Sequence, residues 1–150
     1  MKHMEDKYEK YSTLVLELNG TLIETTQGDS FPKGTWGMKF NWGVMDSIGY
    51  LLRNVKYILV VSYQSNIFST KISYAATVLE NYLKLKYEHE VIVDARYYPD
   101  NSFTDLNPTE SILFIGNVAD KECTKNLGMD YMDVEDFIKE YNITKIINDV

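Results

Sequence analysis

What the chain lacks narrows its chemistry first. It has one cysteine, Cys123, in 150 residues. A disulfide framework is therefore impossible, and a zinc site built on cysteines is excluded with it. These counts suit a reducing cytosol, and a cytoplasmic location is the expectation. No apolar run approaches the roughly 18–20 residues of a membrane helix, so no membrane partner is expected. The opening Met1-Lys2-His3-Met4 leads into Glu5-Asp6-Lys7 rather than an apolar stretch, so it does not read as a signal peptide. Residues 1–10 are set aside as an N-terminal extension or a cloning scar, and 11–150 is expected to form one domain. Positive charge is also in short supply: 15 Lys and Arg face 22 Asp and Glu, a net charge of −7. Such a surface repels phosphate backbones and excludes extensive nonspecific coating of DNA or RNA, though not a small local basic site. Repeats and low-complexity tracts are absent.

What is present is core material: 45% of residues are apolar, with 12 Tyr, and 25% are charged, as in ordinary globular chains rather than disordered ones. Thr13-Leu14-Val15-Leu16-Glu17-Leu18 is short, apolar and closed by Asn19-Gly20, which predicts a buried strand and a turn. Further strands are predicted at 57–61, 91–93 and 111–115, with a short one near Tyr131. Residues 21–32 suggest a hairpin or flap around Gln27-Gly28-Asp29. Helical spacing runs over 42–55 through Val44, Met45, Ile48, Leu51, Leu52 and Val55. It returns over 69–87 through Ile72, Ala75, Ala76, Leu79, Tyr82 and Leu83. A short helix is predicted over 119–127 with Gly128 as its C-terminal cap, and a last helix over 134–141.

Continuously apolar strands alternating with helices predict an α/β domain: a three-layer, doubly wound parallel sheet of the Rossmann-like kind, with a minimal cap and a small flap hairpin. Sites in such sheets lie beyond the carboxyl ends of the strands. Three segments therefore matter most: 17–21, 62–66 and 116–120.

Those segments carry a resemblance. Glu17-Leu18-Asn19-Gly20-Thr21-Leu22 resembles the first motif of the haloacid dehalogenase superfamily, Asp-x-Asp-Gly-Thr-Leu. Val61-Ser62-Tyr63-Gln64-Ser65-Asn66-Ile67 resembles the second, Thr-Asn-Gln-x-Gly-Ile. Phe114-Ile115-Gly116-Asn117-Val118-Ala119-Asp120 resembles the fourth, Gly-Asp-x-x-x-Asp. Order, spacing and strand context agree over about residues 13–138. The branch most resembled is the 3′-phosphatase domain of polynucleotide kinase/phosphatase, followed by histidinol-phosphatase-type proteins. Gly28 to Pro32 with Trp36 resembles that branch's flap, and Lys71 falls at its Arg-Gly-Lys-Leu lysine.

The resemblance implies Mg²⁺-dependent phosphoryl transfer: a nucleophilic Asp, a second Asp as acid and base, hydroxyls and a Lys around the phosphoryl oxygens, and acidic residues for the metal. This chain departs at nearly every charged position. Glu17 takes the nucleophile position, one methylene further out, and misplacement by about 1 Å costs on the order of 100-fold. Asn19 takes the acid/base position, where an amide cannot exchange a proton and about 10²–10⁴-fold is forfeited. Asn107, in Leu106-Asn107-Pro108, replaces the phosphate-binding Lys, and Asn117 replaces the first metal-binding Asp. Thr21, Ser62, Tyr63 and Lys71 remain as phosphate-binding candidates, and Glu17, Asn117 and Asp120 as a weakened or lost Mg²⁺ set. Tyr97-Tyr98-Pro99 lies where some relatives carry a zinc loop, but with neither His nor Cys no zinc is expected.

The resemblance therefore implies a catalytically impaired or inactive phosphatase-like protein that binds a phosphorylated ligand, a nucleic-acid end or a protein partner. The alternative is an active Mg²⁺-dependent phosphomonoesterase, 3′-phosphatase-like, using Glu17. Plainer readings stand beside these. Glu17 and Asn19 could merely line a polar loop, Ser62 could satisfy a strand end, Lys71 could be solvated, and Asp120 could serve a helix N-terminus. Cys123 is expected to pack as a small apolar group, and His3 and His89 to be exposed. Trp36, Phe40 and Trp42 form a local core cluster or a surface for stacking bases.

Overall fold

A computed structural model describes residues 7–24, 39–62, 69–97, 111–117, 124 and 128–148. Five strands form one sheet: β1 (Thr13–Glu17), β2 (Tyr57–Ser62), β3 (Ile92–Tyr97), β4 (Ile112–Gly116) and β5 (Asp130–Asp133). Every adjacent pair is parallel, and the order is β3-β2-β1-β4-β5. β1 is central, with Leu16 opposite Val60 on one side and Ile115 on the other. All positions of β1 and β4 are buried, which is why their sequences are apolar without alternation.

Alternation within the strands sorts their side chains into two cores. Leu14, Leu16, Ile58, Val60, Leu113 and Ile115 face one way, against α1 (Trp42–Leu51), α2 (Ser69–Tyr87) and α3 (Val134–Asn148). Val15, Leu59, Val61 and Phe114 face the other way and are equally buried, with Met129. The chain is thus an α/β protein with a five-stranded, all-parallel, Rossmann-like sheet. Among the described residues, the three helices share the first face.

Local chemistry sets the boundaries. The Asn41 side chain accepts from the Val44 N–H and starts α1. α1 ends at Leu51, before Val55; Leu52 and Val55 stay buried through a turn closed by the Val55 N–H to Leu52 O. Asp133 accepts from the Glu135 N–H ahead of α3, whose first turn carries Glu135 and Asp136 and whose last carries Lys145, in keeping with the helix dipole. α3 runs seven residues beyond the predicted Tyr141 end. Past Tyr141 only Thr144 is buried, and Ile143, Ile146 and Ile147 keep helical spacing but face solvent. The predicted 119–127 helix lies outside the described residues except Thr124. Gly128 does adopt φ 73°, and the Met129 N–H donates to Thr124 O at 3.0 Å, the 6→1 bond of a glycine-capped helix end.

Two expectations change. Residues 7–10, expected to precede the domain, pack on it: Tyr8 is buried and its hydroxyl donates to Glu140 at 2.8 Å. His89, expected to be exposed, is buried. Glu88 turns the chain after α2 with φ 54°, directing the imidazole inward, where Nε2 donates to Val55 O at 2.8 Å. Of the flap expected over 21–32, residues 25–32 lie outside the described residues, as does Trp36; beside them the Glu24 N–H donates to Lys39 O at 2.8 Å, and Ile23 forms an antiparallel bridge with Phe40.

Candidate functional site

The strand order fixes where a ligand crevice belongs. The chain moves outward from β1 through β2 to β3, then returns to β4 on the opposite side of β1. β1 leads on to β2 and β4 to β5, in opposite directions across the sheet, so the carboxyl ends of β1 and β4 flank the switch point at which open α/β sheets hold ligands. Glu17 ends β1, and Asn117 follows β4 directly.

The structure brings these two side chains together across one hundred residues of sequence. Asn117 Nδ2 donates to Glu17 Oε1 at 2.7 Å and lies 3.4 Å from the backbone oxygen of Asn19. The second contact is long and weak, yet it fixes the amide's orientation. Turning the amide over would set its oxygen against two other oxygens. Glu17 is only 8% exposed, so its carboxylate is held in a largely dry position. An amide donor suits it there. A second carboxylate at such a separation would drive one of the pair to take a proton unless a cation lay between them.

The loop after β1 folds back on itself. Gly20 adopts φ 84°, a conformation open to glycine and strained for other residues. The N–H groups of Gly20, Thr21, Leu22 and Ile23 then donate to Ile23 O, Leu18 O, Glu17 O and Leu18 O. The Leu18 N–H donates to Val61 O at 2.9 Å. These amides are spent on the loop and the sheet, so they form no cradle for an anion. Side chains are left to meet a ligand. Thr21 is fully buried, and its Oγ1 has no hydrogen-bond partner among the described residues. Ser62 ends β2, one residue past the Val61 that pairs with Glu17, and is buried at the same end of the sheet.

The remaining candidates divide plainly. Tyr63, Asn107, Asp120, Cys123 and Trp36 lie outside the described residues, as does the side chain of Lys71 in the first turn of α2. Phe40 and Trp42 are described. Trp42 is 53% exposed and contacts the rings of Phe40 and Tyr82, so it sits on the rim of the core rather than inside it. The residues described at the crevice do not fit a magnesium ion as they stand. They supply one carboxylate, and one of its oxygens is engaged by an N–H donor, whereas Mg²⁺ takes oxygen ligands only. Among the described residues no group of three or more His, Cys, Asp or Glu is disposed to hold a metal.

Two features had no sequence signal. The backbone oxygen of Asn19 belongs to the crevice, and a main-chain atom leaves no trace in residue type. A polar knot also joins α1 to α2: Asp46 Oδ1 accepts from the hydroxyls of Tyr82 and Tyr87 and from Lys86 Nζ, the last two at 2.8 and 2.9 Å. Burial alone would raise the Asp46 pKa, but the Tyr82, Lys86 and Tyr87 donors more than offset it and hold the carboxyl below its usual range.

Among the described residues no helix is long and apolar enough to cross a membrane. Comparison with protein-family models, curated proteins and solved structures finds no match to the chain.

Proposed function

We propose that the chain is a phosphatase-like domain of the haloacid dehalogenase type whose catalytic chemistry is silenced, and that the β1/β4 crevice binds a phosphorylated ligand. The observation that carries this reading is the 2.7 Å hydrogen bond from Asn117 to Glu17. A carboxylate that attacks phosphorus must present a lone pair in line with the leaving group. A short amide bond to one oxygen restrains the carboxylate and lowers its nucleophilicity. Asn19 and Asn117 supply amides where the resemblance implies acids, so neither proton transfer to a leaving group nor a second anionic metal ligand is provided from those positions. The unpartnered Thr21 hydroxyl supports a retained binding role, since a buried hydroxyl without a partner costs about 1–3 kcal/mol unless something meets it.

One observation favours the alternative, a Mg²⁺-dependent phosphomonoesterase acting through Glu17: the carboxylate is kept, buried, at the switch point of the sheet. Phosphate release from p-nitrophenyl phosphate and from a 3′-phosphorylated oligonucleotide, with and without Mg²⁺, separates the two. No turnover above that of Glu17→Gln is expected, together with saturable binding of a phosphomonoester that Thr21→Val weakens. Mg²⁺-dependent turnover lost in Glu17→Gln would establish the phosphatase instead. Absence of phosphomonoester binding, with a stable complex to another protein, would make the crevice a protein-interaction surface.

A further inference from the structure

We infer that the Asn117 side-chain amide takes the place of a divalent cation in the crevice, so that the native chain takes up no magnesium there and Asn117→Asp converts the crevice into a cation site. The inference rests on the reading that this crevice is the functional site, and it names what holds that site closed.

Two oxygens of different origin converge on one nitrogen: Glu17 Oε1 at 2.7 Å and Asn19 O at 3.4 Å. Carboxylate and main-chain carbonyl are the oxygen donors from which protein Mg²⁺ and Ca²⁺ sites are assembled. They come here from the end of β1 and the loop after it, while the group between them comes from the end of β4. That group is an NH₂, which bears partial positive charge. It attracts both oxygens in a position where Glu17 is 8% exposed. It also fills the volume. A cation entering would have to displace a charge-assisted hydrogen bond before gaining its first protein ligand.

Replacing the NH₂ by a carboxylate oxygen reverses this balance. The crevice would then offer two carboxylates and a carbonyl, with strong repulsion between the acids until a cation neutralises them. In the variant the spacings of 2.7 and 3.4 Å from the amide nitrogen become spacings between oxygen ligands, and the cation would lie among the three oxygens rather than at the amide's place. Ca²⁺ tolerates irregular coordination, whereas Mg²⁺ demands near-ideal octahedral geometry, so Ca²⁺ is the ion such a site accepts more readily.

The test is calorimetry and thermal melting of the full chain titrated with CaCl₂ and with MgCl₂. The native protein is expected to show no binding heat and an unchanged melting temperature at millimolar ion. Asn117→Asp is expected to melt lower without ion, to regain the loss on titration, and to bind Ca²⁺ on the order of tenfold more tightly than Mg²⁺. Glu17→Gln/Asn117→Asp, with one acid fewer, should lose that response. Should Asn117→Asp fail to fold without ion, refolding on Ca²⁺ addition supports the inference. Failure to refold transfers the decision to Asn117→Ala, whose melting temperature must rise with Ca²⁺ more than that of the native chain. The inference is overturned if the native chain binds Mg²⁺ in a Glu17-dependent manner, or if folded Asn117→Asp ignores both ions. Those results leave the silenced-phosphatase reading to its own turnover assay. Conversely, metal-independent turnover by the native chain would refute that reading and leave the amide's role intact.

Discussion

Replacing Gly49 by alanine tests the packing of α1 on α2 at its tightest point. A β-carbon at position 49 would lie 2.3, 2.5 and 2.6 Å from Cδ2, Cε2 and Cγ of Tyr87. Ordinary contact is about 3.5–4.0 Å, so the ring must retreat by about 1 Å or the helices must part. Overpacking of this kind costs about 1–3 kcal/mol. Retreat also strains the 2.8 Å bond from the Tyr87 hydroxyl to Asp46, which at a partly exposed carboxylate is worth about 1 kcal/mol. Against this, alanine favours the helix over glycine by about 1 kcal/mol. The net expectation for Gly49→Ala is a loss of about 1–3 kcal/mol and a fall in melting temperature of about 3–10 °C, read by circular dichroism. The same change made in a Tyr87→Ala background should stabilise by about 1 kcal/mol, because only the helix preference remains. A Gly49→Ala protein that melts at or above the native temperature, or a change of the same sign in both backgrounds, would refute the packing argument.

Thr21→Val removes a buried hydroxyl that has no partner while preserving shape. Urea titration should show unchanged stability or a gain of up to about 1 kcal/mol, while phosphomonoester binding weakens; a loss of stability would show that the hydroxyl is satisfied within the fold. His89 carries a pH prediction. Burial lowers its pKa, the Val55 carbonyl opposes this, and Lys56 and Arg53 lower it further, with Tyr87, Glu88 and Glu90 also lining that hollow. The unfolded chain therefore takes up the proton first as pH falls below about 6.5, so stability drops from there toward the folded-state pKa by at most about 1.4 kcal/mol per pH unit. His89→Gln should flatten that part of the urea-midpoint profile, and an unaltered profile would contradict the assignment. Asp46 acts in a lower window. Its depressed pKa contributes stability above the ordinary carboxylate range that is lost as pH falls through the folded value. Asp46→Asn should therefore cost about 1 kcal/mol at neutral pH and converge with the native chain in acid, and a cost independent of pH would show that charge is not what the tyrosines and Lys86 recognise.

The sheet was legible because its central strands are buried on both faces. Leu14 to Leu16, Ile58 to Val61 and Ile112 to Ile115 have no polar position to mistake for a surface. β3 was less legible, since its burial alternates and Ile92 itself is 62% exposed; the apolar Val91-Ile92-Val93 marked its start, but the predicted strand stopped at Val93, short of Tyr97. The end of α3 was hidden for the opposite reason: Ile143, Ile146 and Ile147 are exposed, so apolar character there does not report burial. His89 was misplaced because polarity predicts exposure, whereas a single carbonyl, Val55 O, suffices to satisfy the buried Nε2. At the crevice, spacing in the sequence indicated that Glu17, Ser62 and Asn117 share one end of the sheet, and the parallel register places them there. What spacing could not supply was the direction of the Asn117 amide, which depends on a hydrogen bond closed across the strands and on a main-chain oxygen. Nor could it reveal that the glycine loop consumes its own N–H groups.

Glu17, tied to the Asn117 amide, is proposed to accept no phosphoryl group, and the silenced-phosphatase reading depends on that. Intact-protein mass spectrometry after incubation with acetyl phosphate or p-nitrophenyl phosphate, with and without Mg²⁺, addresses it directly. The expected spectrum shows the unmodified chain alone under every condition. A species heavier by one phosphoryl group, mapped to Glu17 and missing from Glu17→Gln, would contradict the proposal.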